Sequence, residues 1–100
     1  MSNKSIISDL DKVFDNRIRL GIMSVLMVNE SYDFIGLKET LKVTDGNLAS
    51  HLKGLEEKGL ISVRKQFVGR KPNTTFTITE EGSALFRKHL KALEGLLKNQ

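Results

Sequence analysis

The apolar residues of this chain change their spacing twice, and those two changes limit what it can fold into. From Ile6 to the glycine at position 59 they recur every three or four residues, from Ile61 to Ile78 every second residue, and after Thr79 the helical spacing returns. A chain of 100 residues has about the commonest size for one compact domain. A run of helices, a single β-hairpin and a closing helix must therefore share one core. Without repeats, low-complexity tracts or Pro/Gly/Ser linkers, nothing marks a division of residues 1–100 into smaller units.

The caps refine this outline. Ile6, Leu10 and Val13, with Ile7 and Phe14 beside them, predict a first short helix over about residues 4–13. Asp15 or Asn16 then caps a helix from about Arg17 to Asn29, whose Ile18, Ile22, Met23, Val25, Leu26 and Met27 leave almost no polar side; such a helix is central. Asp33 caps a helix of about two turns through Phe34, Leu37 and Leu41. Only Lys42 and Val43 separate it from the next helix, residues 44–58, which Thr44 caps and which carries Asp45 in its first turn. Two short helices joined this closely, the second amphipathic, form a helix-turn-helix. Gly59 suits the left-handed C-cap. Beyond it, Ile61, Val63 and Phe67 alternate with Ser62, Arg64 and Gln66, and the alternation resumes at Phe76 and Ile78 after VGRKPN, with Pro72 expected in the turn. Thr79 caps the last helix, which runs to about Lys98 with Glu80 and Glu81 at its start. The fold class is mostly α with a small β-hairpin, in the order α-α-α-α-β-β-α.

Composition excludes several kinds of function. The chain has no cysteine, which removes disulfides, thiolate metal sites and thiol catalysis. No apolar run is long enough to span a membrane and the N-terminus lacks a signal-peptide core, so a cytoplasmic protein without membrane contact is expected. There is no nucleophile elbow, phosphate-binding glycine loop or metal-ligand cluster, so neither an enzyme nor a cofactor is expected. The net charge is +4, and Arg64, Lys65, Arg70 and Lys71 lie in one acid-free segment whose charge equals that whole balance. Concentrated positive charge is the electrostatic footprint of a nucleic-acid binder; the plainer reading is a solvated turn.

Two helix faces stand out. On helix 44–58, Leu48, Leu52 and Leu55 form one stripe, while Gly46, Asn47, Ser50, Lys53 and Gly54 gather roughly opposite. A glycine within a helix is less favourable than alanine by about 1 kcal/mol, so a face this small implies a close approach by something else. On the last helix, Phe86, Leu90, Leu93 and Leu97 make one apolar stripe and Leu85, His89, Ala92 and Leu96 a second. Two stripes imply two partners: the chain's own first helix, and the same helix of a second subunit. On this reading helices 4–13 and 80–98 form a dimer face through Ile6, Leu10, Phe86, Leu90, Leu93 and Leu97. The alternative is one wide core face.

TDGNLASHLKGLEEKGLI followed by VRKQFVGRKPNTTFTITEEG resembles the small winged helix-turn-helix transcriptional regulators of the MarR and ArsR groups, over about residues 16–90. The resemblance implies that residues 44–58 are a recognition helix in the DNA major groove, with Thr44, Asp45, Gly46, Asn47, Ser50, His51 and Lys53 at the contact. A groove about 12 Å wide just admits a helix, which gives the thin face its reason. Asn47 can pair with adenine. His51 sits between the polar face and the leucine stripe; the resemblance turns it to DNA, whereas geometry equally allows it to cover Leu48 and Leu55. Arg64, Lys65, Arg70 and Lys71, in the basic wing 64–73, would grip the backbone or the adjacent minor groove. The implied function is a homodimeric, sequence-specific double-stranded-DNA regulator, most simply a repressor. The alternative is a winged-helix module for protein assembly, against which stands the absence of a stranded aromatic in the recognition helix or wing. The chain lacks the long helices that build a ligand pocket in many MarR-type proteins and the cysteines of ArsR-type metal sensors, so no small-molecule effector can be named.

Overall fold

The computed structural model describes residues 6–98, the side chains of Ile6 and Ile7 excepted. Four helices and a three-stranded antiparallel sheet make up the fold: α1 (Arg17–Val28), β1 (Tyr32–Asp33), α2 (Phe34–Leu41), α3 (Asp45–Glu57), β2 (Ile61–Val68), β3 (Lys71–Ile78) and α4 (Glu80–Lys98). The strand order is β1-β3-β2.

Side chains start these helices where the sequence placed their caps. Asn16 Oδ1 accepts from the Ile18 and Arg19 amides, Asp33 Oδ1 from Gly36, Thr44 Oγ1 from Asn47 and Thr79 Oγ1 from Gly82. Each satisfies amides that the first helical turn leaves without an intrahelical acceptor. α3 ends in a Schellman motif: Gly59 is left-handed (φ +76°), its amide donates to the Glu56 carbonyl, and the Leu60 amide donates to that of Leu55. One core cluster gathers Ile22, Met23 and Leu26 of α1, Leu37 of α2, Leu48, Leu52 and Leu55 of α3, Ile61 and Phe76 of the sheet and Phe86 of α4.

Four expectations need correction. The first helix is two 3-10 turns, Ile6–Asp9 and Lys12–Phe14; Lys4 and Ser5 lie outside the described residues. Asp11 is extended (φ −100°, ψ 131°) and its carboxylate accepts from the Val13 amide, a local bond that competes with a continuing helix. Second, Pro72 is not in the turn. Val68 pairs with Lys71, so the loop is Gly69 and Arg70, with Gly69 left-handed (φ +67°) as a two-residue hairpin with glycine first requires. Pro72 stands in β3 opposite Phe67. β1 covers β3 only at Thr75 and Phe76, so the missing N–H of Pro72 breaks no ladder there. Third, β1 joins the hairpin through Tyr32 opposite Phe76 and Asp33 opposite Thr75. Fourth, Phe86 is only 1% exposed and packs edge-to-face on Phe14, with ring centroids 5.1 Å apart. It belongs to the chain's own core and not to a dimer face.

His89 is buried beside that pair, and its Nδ1 accepts from the Asp11 amide at 3.1 Å. The stripe containing Ala92 and His89 therefore faces the N-terminal turns. Leu90, Leu93 and Leu97 remain 41%, 38% and 75% exposed. The radius of gyration, 15.3 Å, exceeds the roughly 13 Å usual for 100 residues, and the longest extent is 59 Å.

Candidate nucleic-acid interface

α3 meets the core through Leu48, Leu52 and Leu55, all buried. At 100° per residue this turns Gly46, Ser50 and Lys53 outward, Asn47 and His51 toward α1, and Ala49 and Glu56 toward the sheet. Asp45, Gly46, Asn47, Ala49, Ser50 and Lys53 are exposed, as is Thr44 ahead of them. A Cβ built on Gly46 or on Gly54 would meet no atom within 4 Å. Neither glycine is therefore demanded by packing inside the chain.

Partners missed in the sequence hold two of the expected contact residues. The Asp45 carboxylate is paired with Lys38 Nζ at 2.7 Å. The pair neutralises the acid that would otherwise repel phosphate at the start of α3. Arg19 donates through Nη1 to His51 Nδ1 at 3.1 Å and through Nε to the Val13 carbonyl at 2.6 Å. A guanidinium only donates, so Nδ1 is the acceptor and the ring presents Nε2–H as its remaining donor. His51 is half-buried at the edge of the helix, covering core and offering one donor at once. Lys38 and Arg19 come from other helices, and no local spacing links them to α3.

The wing divides its charges between two faces. Alternation along β2 puts Ile61, Val63, Lys65 and Phe67 on the side that meets the core, while Arg64 falls on the other side with Lys71, the partner of Val68. Lys65 lines a depression with Lys53, Ala49 and Thr74, so one wing cation is brought beside the recognition-helix residues. Arg70 occupies the loop tip and is exposed. The expectation of no stranded aromatic in the wing is overturned: Phe67 is 74% exposed, next to exposed Val68 and opposite Pro72. Its place in the alternation matches a core residue, but β2 runs past the edge of the domain, where none of the core residues among the described ones packs beneath it.

A shallow helix face is thus flanked on one side by α1 and on the other by a basic two-stranded arm. Residues 18–97 match the model of the winged helix DNA-binding domain. The chain belongs to this family. The winged-helix domain is also 36% identical over 88 residues to an uncharacterised protein of Methanocaldococcus jannaschii, a match covering 88% of this chain and 96% of the other. Among solved structures it superposes on a transcriptional regulator homologue from Pyrococcus horikoshii with a TM-score of 0.83 and 30% identity, over 94% of this chain and 91% of that one. Staphylococcus aureus MepR, in a structure with DNA, shares the fold with a TM-score of 0.76 at 14% identity, over 93% and 76% of the two chains. Family and fold are those of transcriptional regulators and not of enzymes. Among the described residues no group of acidic or histidine side chains is arranged to hold a metal, and no helix is long and apolar enough to cross a membrane.

Proposed function

We propose that this winged-helix domain is a homodimeric, sequence-specific regulator that reads double-stranded DNA with α3 in the major groove and acts as a repressor by occluding a promoter. The observation that carries the reading is the open space over Gly46 and Gly54. Two glycines on the polar side of α3, Gly46 exposed and Gly54 half-buried, neither filled by the fold, are what a close-fitting groove asks for. Asn47, Ser50 and Lys53 supply short donors and acceptors for base edges, and Lys65, Arg70 and Lys71 supply phosphate contacts. The MepR structure with DNA supports the same partner.

Dimerisation is supported by the exposed Leu90, Leu93 and Leu97 stripe along α4, an apolar face that the same stripe of a second copy would cover. Leu10, half-buried in the N-terminal turns that pack on α4, would border that surface; the side chain of Ile6 lies outside the described residues. A dimer would hold its two recognition helices roughly 34 Å apart, matching half-sites one DNA turn apart.

Selection of bound duplexes from a random pool tests this reading, followed by binding of two variants to the selected site and to scrambled DNA. Asn47→Ala should lose preference for the selected site, whereas Arg70→Ala with Lys71→Ala should weaken binding to both DNAs alike. No enrichment of any sequence at low salt would refute it. Exposed Phe67 favours a second reading, in which the wing tip docks on another protein. Phe67→Ser that leaves DNA binding intact but abolishes capture of a specific protein partner would select that reading.

A further inference from the structure

We infer that a DNA backbone phosphate seats in the cleft between the start of α1 and the helix-turn-helix bend, held by Arg17 and Lys42. The inference rests on the DNA-binding reading above and adds a grip on the side of α3 opposite the wing.

The cleft has a volume of about 460 Å³ and is lined by Arg17 and Ile18 from α1, Leu41, Lys42 and Val43 at the bend, and Thr44 and Asn47 at the start of α3. Ile18, Leu41 and Val43 give it an apolar floor suited to a sugar face. No acidic residue is among its lining groups. The nearby Asp45 carboxylate is already neutralised by Lys38. Of the neighbouring cations the fold uses two: Arg19 is committed to Val13 and His51, and Lys38 to Asp45. Arg17 and Lys42 are exposed, and their side chains have neither hydrogen-bond nor ion-pair partner among the described residues. Two unpaired positive charges at the rim of one acid-free cleft form an anion site.

Asn47 ties that site to the duplex, because it lines the cleft and also stands beside the outward face of α3. A base read by Asn47 brings its flanking backbone to the cleft mouth. Lys42 also occupies a left-handed conformation (φ +55°), the single non-glycine positive φ among the described residues. A helix terminus of this shape ordinarily takes glycine. Lysine there weakens the fold slightly, which separates its two effects by experiment.

The test measures affinity of the full chain for the selected duplex between 50 and 200 mM salt, for the parent, Arg17→Ala, Lys42→Gly and the α4 surface control Arg87→Ala. One phosphate contact contributes about 0.9 to the log–log salt slope. Each cleft variant should therefore lose about 3.5-fold less affinity than the parent across that fourfold change in salt. Arg87→Ala should follow the parent, and Lys42→Gly should melt at or above the parent temperature. An unchanged slope in either cleft variant overturns the assignment. A parent with no steep salt dependence instead overturns the DNA-binding reading itself, so the two failures are distinguishable. Melting in inorganic phosphate against chloride of matched ionic strength distinguishes the remaining source of anion. Stabilisation by phosphate that Lys42→Gly abolishes, together with an unaltered DNA salt slope, would assign the cleft to a soluble anion and overturn the phosphodiester.

Discussion

Filling the thin face of α3 should make the protein more stable and a poorer DNA binder. Gly54 lies in the helical ladder, since its carbonyl accepts from the Lys58 amide at 3.2 Å and its φ is not positive. A Cβ on it meets nothing within 4 Å. Gly54→Ala should therefore gain nearly the full helix-propensity difference, about 1 kcal/mol, which for a domain of this size raises the melting temperature by roughly 4–8 °C. Gly46 has the same open space but sits in the first turn, so Gly46→Gln gains less. In a groove that just admits a helix, that glutamine displaces the surface by several ångströms. Overpacking of a close contact costs roughly 1–3 kcal/mol, or about 5- to 150-fold in affinity. Calorimetric melting at fixed protein concentration and titration of the selected duplex read the two quantities separately. Because they move in opposite directions, misfolding cannot account for the lost binding. Destabilisation by Gly54→Ala would show that packing already claims that face, and unchanged affinity in Gly46→Gln would show that no groove closes on it.

Gly82→Ala should destabilise by about 1–3 kcal/mol, because a Cβ there falls against the Leu60 backbone carbonyl, which cannot swing aside as a side chain can; melting temperature checks this, and an unshifted value would refute the close approach. Leu93→Glu with Leu97→Glu should leave melting little changed at low concentration yet yield a monomer by sedimentation, and reduce affinity for a two-half-site duplex by an order of magnitude or more. A dimer that survives both substitutions would remove α4 from the proposed interface.

Where the sequence was informative, the governing forces were local. Asn16, Asp33, Thr44 and Thr79 each bond an amide two or three residues ahead, and Gly59 turns the chain where no side chain is comfortable. Such signals survive without tertiary context. The N-terminal turns escape apolar spacing because Asp11 answers both its own neighbour and distant His89, a competition that spacing does not register. β1 is two residues long and carries no period. Phe67 and Phe86 show the limit of periodicity most plainly: the strand pattern continues past the edge of the core, and the two stripes on α4 cannot themselves say which partner each will meet. In the candidate site, the exposed polar face of α3 was legible, whereas Arg19 beneath His51 and Lys38 beside Asp45 were not, because packing of separate helices brings them there.

The joint between α3 and α4 links those two faces mechanically. Leu60 is buried, its carbonyl accepts from the Thr79 amide at 3.1 Å, and Thr79 Oγ1 donates to the Gly59 carbonyl at 2.7 Å while accepting from Gly82. Both ends of the hairpin are thereby pinned to the first turn of α4, and Gly82 lets that turn sit directly on the chain leaving the recognition helix. Several short hydrogen bonds and a backbone contact across one corner leave little freedom in the angle between α3 and α4. If α4 pairs with its copy, the separation of the recognition helices is set by this corner and not by a flexible linker. Half-site spacing then becomes a rigid property of the protomer, and a duplex whose half-sites are moved by five base pairs, half a turn, should fall to the affinity of a single half-site.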